Sequence, residues 1–374
     1  MSPKSLILCV LAPLVTAFNL SVPAPSGPFG VGTTVLEITD YSRVDPLAPT
    51  PQPRKLAVSL FYPTGKSCEK KSQCTRAVQL PPKTAAALET QAGVPNGILE
   101  NIITHACLDA PVTQSLHPLL LFNPGRGITR LIYSDTLIEL ASYGYTLASV
   151  DHPYESNIVE YPDGTAVYGL ELDSSPSTVL KLMNIRAADL ISVLNAFSNS
   201  TVTDKIPGYS PVTKFKTDKV GVFGHSLGGA TALQVMINDT RFAAGVNGDG
   251  SFWGEQQQIG TDAPFMIMAA EKHNRTSDKS WDNTWSNLQG FRRQATVKGT
   301  EHNSFTDAGL LTQMLGGGLP SNTTGPVGTI NGTRIIAIQR ALLTSFFKRS
   351  LDGENDGLLD GVGAEKWPEV SLEQ

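Results

Sequence analysis

The sequence predicts an α/β fold: a mostly parallel sheet with helices on both faces. From Leu119 onward, short apolar runs alternate with stretches of helical periodicity, which is how a parallel sheet and its crossover helices are written. No composition break interrupts this alternation, so the 374 residues are read as one large domain over residues 18–350. The third observation is local: between Lys219 and Met236 a strand-like run, a glycine-rich turn and a helix-like run follow one another.

In chain order, Thr34–Thr39 and Lys55–Tyr62 read as strands after a Pro/Gly-rich entry. Residues 63–116 read as an irregular insertion covering one end of the sheet. Leu119–Phe122 reads as a buried strand, Leu131–Ser142 as a helix and Tyr145–Val150 as the next strand. Leu180, Met183, Ala187, Leu190, Leu194 and Phe197 recur at spacings of three and four, which predicts a helix with one core-facing stripe. Phe242–Val246, Pro264–Ala269 and Arg292–Val297 read as further strands. Arg334–Lys348 reads as a last helix, and residues 351–374 as an acidic, Gly-rich tail. Within it, Asp352–Gly357 imitates the start of a calcium loop, but Gly363 stands where the loop needs Glu, so no metal site is expected.

A formal charge of −5 without any Lys/Arg-rich run excludes nucleic acid as an expected partner. The N-terminus has the layout of a secretory signal peptide over residues 1–17: Lys4, an apolar run from Leu6 to Val15, and small residues ending at Ala17. Ten or so apolar residues interrupted by Pro13 are too few to span a bilayer. Six Asn-x-Ser/Thr sequons, at Asn19, Asn199, Asn238, Asn274, Asn322 and Asn331, agree with a secreted glycoprotein. Cys68, Cys74 and Cys107 remain after the signal peptide; the short polar span between the first two makes Cys68–Cys74 the expected disulfide, with Cys107 as the alternative partner.

The turn itself, Gly224-His225-Ser226-Leu227-Gly228-Gly229, is a Gly-x-Ser-x-Gly nucleophile elbow. Its glycines clear room for a tight strand-to-helix turn, and the Leu227 amide, opening the helix, points toward developing negative charge. Ser226 is therefore the expected nucleophile, in an α/β-hydrolase fold. In that fold an acid and then a histidine follow the serine. Only His273 and His302 lie downstream. His302, in a turn after the last parallel strand, is the expected base; His273, beside the sequon at Asn274, is expected on a wet surface. Asp249 and Glu271 each end a suitable strand, and pattern alone does not choose between them. A second oxyanion donor is expected in Asn123-Pro124-Gly125-Arg126-Gly127, at the Arg126 amide. Phe252 and Trp253, just past Asp249, are candidates for an acyl pocket; Asp151–Ser177 and the segment with Trp281 and Trp285 are candidate lids.

These residues resemble those of the secreted platelet-activating-factor acetylhydrolases, the group VII phospholipases A2, and their fungal-type members in particular. The matching pieces are Gly27-Pro28-Phe29-Gly30-Val31-Gly32, Val58–Pro63, Pro124–Gly127 with Tyr133, Leu140–Gly144, the elbow, Asn247–Gly250 and Glu301–Phe305. The resemblance implies Ser226 as nucleophile, Asp249 as acid and His302 as base, separated by 23 and 53 residues. It implies a secreted, cofactor-free ester hydrolase for short or oxidised acyl groups on a small-molecule or lipid ester, with peripheral contact to lipid surfaces. The sequence leaves open a cutinase-like polyester hydrolase or a general short-chain carboxylesterase. An inactive binding module is disfavoured because no triad member is missing.

Overall fold

Strands buried on both faces need apolar side chains at every position, and this chain supplies them with a division of labour set by the two-residue strand period. Leu119 and Leu121 pack into one core while Leu120 and Phe122 pack into the other. The strand at Phe265–Ala270 repeats this: Phe265, Ile267 and Ala269 face the first core, Met266, Met268 and Ala270 the second. Helices Pro176–Ala196 and Leu227–Asn238 supply side chains to the first core, and Ser134–Ser142 and Gly332–Phe347 to the second.

The structure is a computed structural model, and it describes residues 20–65, 74–112, 117–317 and 325–374. The expected leader, Cys68 and the sequons at Asn19 and Asn322 lie outside the described residues. The main sheet runs in the order Leu20–Ser21, Ile102–Leu108, Gly30–Val44, Pro53–Thr64, Thr146–Asp151, Leu119–Asn123, Val220–His225, Phe242–Gly248, Phe265–Ala270, Arg292–Val297, Val370–Glu373. Its six strands from Thr146–Asp151 to Arg292–Val297 pair in parallel. Among the described residues no helix is long and apolar enough to cross a membrane.

Each helix and strand expected from Leu119 to Lys348 is present, with small shifts at the ends. The helix expected from Leu180 begins a turn earlier, at Pro176, because the Ser175 side chain accepts from the Thr178 amide and proline occupies the first helical position. One expectation is corrected. The described residues within 63–116 are not irregular: they hold Arg76–Val78, the helix Pro82–Ala92 and the strand Ile102–Leu108, which extends the main sheet. The acidic, Gly-rich tail also contributes a strand, since Val370–Glu373 pairs antiparallel with Arg292–Val297. Both elements are stabilised by a distant partner strand, which local periodicity does not encode.

The disulfide is also corrected. Cys74 bonds Cys107, with Cα atoms 5.4 Å apart, which ties the entry of the insertion to its returning strand. The alternative pairing is the one that forms, because Arg76 lies opposite Cys107 in the Arg76–Val78 hairpin and brings Cys74 alongside.

Candidate active site

The elbow is held by sterics. Ser226 has φ +58° and ψ −125°, a conformation costly for a residue with a side chain and worth about 1–3 kcal/mol of strain. A Cβ on Gly228 would lie 2.0 Å from the Asn123 carbonyl oxygen and 2.5 Å from that of Pro124, so only glycine lets the helix start press against the Asn123–Gly127 loop. The Leu227 amide opens the helix that follows Ser226, and the Arg126 amide lies in the loop that this contact presses on. Neither amide has a hydrogen-bond acceptor among the described residues.

The Asn123–Gly127 loop is fixed from beneath. Arg186, fully buried, donates from Nη1 to Asn123 Oδ1 (2.8 Å) and the Pro124 carbonyl (2.6 Å), and from Nη2 to the Gly125 carbonyl (3.2 Å). Its charge is balanced by Glu155, which accepts from Nε at 2.7 Å and Nη2 at 2.6 Å. The Arg126 side chain points outward, to the Leu172 and Asp173 carbonyls and the Ser174 hydroxyl, and so anchors part of the expected lid segment.

At the far end of the neighbouring strands, three side chains are hydrogen-bonded in series. His302 Nε2 lies 3.0 Å from Ser226 Oγ, and His302 Nδ1 lies 2.7 Å from Asp249 Oδ2. Asp249, itself at φ +59°, accepts on Oδ1 from the Ala270 amide at 2.7 Å and from His273 Nδ1 at 2.9 Å. Burial pushes its carboxyl up, but the hydrogen bonds from His273 and His302 outweigh this and hold it at about 2. Glu271 lies apart: its carboxylate is exposed and accepts from the Gly299 amide.

His225 joins the pieces. Its Nε2 lies 2.9 Å from the His302 carbonyl and therefore carries the proton, which leaves Nδ1 to accept from the Tyr133 hydroxyl at 2.9 Å. Tyr133 in turn accepts from the Gly125 amide at 2.9 Å. Burial, and then the neighbouring His302, push His225 down to about 3, so it is neutral and serves as a strut between the two loops.

The structure corrects three expectations here. Phe252 is core, buried and 6.1 Å from Phe265 between ring centres, so it lines no acyl pocket. Trp253 instead packs, half-buried, with Leu227, Met183 and Leu180. Trp281 and Trp285 are buried and form no lid; Trp281 Nε1 donates to the Gly250 carbonyl beneath the Asp249 loop. His273 is no wet-surface residue: it stacks on Trp281 at 4.0 Å and bridges Asp249 to Asp278. Sequence reasoning missed Arg186, although it stands three residues after Met183 and four before Leu190, a charge on the apolar stripe. An apolar cavity of about 120 Å³ opens next to the site, between Gly127, Ile128 and Asn303 on one side and Leu88, Ala92 and Leu311 on the other.

A parallel sheet with a serine at a strand-to-helix elbow and a histidine loop at the same edge defines the α/β-hydrolase class. A ferulic acid esterase from Streptomyces cinnamoneus has the same fold, with a TM-score of 0.81 at 31% identity over 95% of this chain and 100% of that one. The family model for platelet-activating factor acetylhydrolase, isoform II, matches residues 15–173 and 210–358. A probable 1-alkyl-2-acetylglycerophosphocholine esterase of Arthroderma benhamiae is 31% identical over 402 residues, covering 97% of each chain. The platelet-activating factor acetylhydrolase of Cavia porcellus is 26% identical over 318 residues, covering 79% of this chain and 71% of its own. The chain belongs to the platelet-activating factor acetylhydrolase isoform II family, and it is a carboxylic ester hydrolase.

Proposed function

We propose that this hydrolase works through an acyl-enzyme on Ser226, with His302 as general base and then acid and Asp249 as the group that orients His302. The observation that carries this reading is the series Ser226 Oγ, His302 Nε2, His302 Nδ1, Asp249 Oδ2, at 3.0 and 2.7 Å. As Oγ attacks the ester carbonyl, its proton passes to His302 Nε2; the Leu227 and Arg126 amides receive the oxyanion. His302 then gives that proton to the departing alkoxide. Water repeats the cycle and releases the acid.

The substrate we assign is a small-molecule or lipid ester with a short or oxidised acyl group, as in a 1-alkyl-2-acetylglycerophosphocholine. The names of the relatives support this, and so does the apolar cavity at Ile128 and Leu311, which offers an alkyl group a seat lined in part by Gly127 and Asn303, the chain neighbours of Arg126 and His302. We also propose secretion, supported by the apolar N-terminal run and by exposed sequon asparagines at Asn199, Asn238 and Asn331.

The test uses protein recovered from the culture medium, assayed on p-nitrophenyl esters from acetate to palmitate, a 2-acetyl phospholipid, a feruloyl ester and a polyester film. Ser226→Ala is expected to lower kcat by about six orders of magnitude, and the wild type to prefer acetate and the acetyl phospholipid. Unchanged ester turnover in that variant overturns the mechanism, and a preference for long chains or film overturns the substrate class. Absence from the medium, or no mass change on enzymatic deglycosylation, overturns the secretion reading.

A further inference from the structure

We propose that His273 is a positioning residue for ester hydrolysis: held as an imidazolium between Asp249 and Asp278, it fixes the carboxylate that orients His302 and moderates its negative charge. The proposal rests on the triad reading above.

Geometry carries the charge assignment. His273 Nδ1 lies 2.9 Å from Asp249 Oδ1 and Nε2 lies 3.0 Å from Asp278 Oδ2. A carboxylate only accepts, so each ring nitrogen must donate, and only the imidazolium has two N–H groups. Burial opposes the charge, but the hydrogen bonds from the ring to Asp249 and Asp278 outweigh it and raise His273 to about 9. Asp278 is itself immobilised, accepting from Ser251 Oγ on Oδ2 and from the Ser280 amide and hydroxyl on Oδ1. The ring is stacked 4.0 Å from Trp281, with 22° between planes.

The surrounding charges are accounted for. Asp249, which follows the strand Phe242–Gly248, and Asp278, which caps the helix Lys279–Trp285, face the ring. On its own segment, Arg275 is drawn away to Glu373 and over Trp285, Lys272 is exposed, and Glu271 is engaged by the Gly299 amide. His302 meets the ring only through Asp249, whose two oxygens it shares with His273.

Two consequences separate this role from mere packing. With His273 charged, part of the negative charge that Asp249 presents to its neighbours is cancelled. With His273 and the Ala270 amide both on Oδ1, Asp249 is held twice against turning away from His302.

In His273→Gln the acid limb of the kcat/KM profile should move up by about one pH unit, because the cation that offsets the Asp249 charge is gone. His273→Ala should show the same shift and in addition lose about tenfold or more in kcat with little change in KM, because Asp249 Oδ1 is then held by the Ala270 amide alone. Counting reactive sites with a fluorophosphonate corrects for misfolded protein. The unmutated enzyme gives a second measurement: in ¹⁵N-histidine NMR one ring should keep both nitrogens protonated from pH 6 to 8. A wild-type acid limb and kcat in both variants, or the absence of such a ring, overturns the proposal. If Ser226→Ala keeps its turnover, the triad reading falls instead.

Discussion

The two halves of the site are secured by different forces. The serine half is fixed by backbone sterics: a strained Ser226, and a Gly228 that admits the Asn123 carbonyl where no β-carbon fits. The histidine half is fixed by side-chain hydrogen bonds and charge, through Asp249, His273 and Asp278. A steric lock is indifferent to pH. A charge lock depends on protonation, and its members, Asp249, His273 with Asp278, and His302, come from three separate segments.

The largest effect that tests this contrast is on the acid. Asp249→Asn preserves shape but removes the charge that steadies the protonated His302, so kcat should fall about 10⁴-fold. Glu271→Gln should stay within a few-fold of wild type in the same assay; the reverse ranking would break the assignment. Next in size is the support under the serine half. Arg186→Met strands the buried Glu155 carboxylate, and urea unfolding should register a loss of about 3–5 kcal/mol. A loss below about 1 kcal/mol would mean that the Asn123–Gly127 loop holds itself.

The smallest effect is the pH dependence of stability. His273 is raised from an ordinary 6.5 to about 9, so its contribution is complete below about 6.5 and lost as pH rises through about 9. Asp249 is lowered from 3.8 to about 2, so its contribution is complete above about 4 and lost as pH falls through about 2. The stability gap between wild type and His273→Ala should therefore be widest between about pH 4 and 6.5 and close above about pH 9. A gap that stays flat from pH 5 to 10 would show that the lock on this half is packing, as on the other.

The same contrast explains which parts were legible in advance. The elbow, the strands Leu119–Phe122 and Arg292–Val297, and the stripe from Leu180 to Phe197 follow from spacing within a few residues, because strand and helix periods are local properties. The insertion escapes a local reading because Ile102–Leu108 is placed by strands far along the chain, Val31–Thr33 among them, 75 residues away. Phe252 and Trp253 are adjacent and alike, yet one is core and the other borders Leu227. Pattern could not divide them.

By itself, the sequence determined the parallel sheet, its helices, the exposed serine turn and the histidine loop, since each is dictated by sterics and burial among near neighbours. Only the tertiary structure decided that Cys74 pairs with Cys107, and that His273 and Arg186 brace the site. Those choices depend on which side chains converge after the strands align. A buried charge can find its partner only once the chain around it has folded.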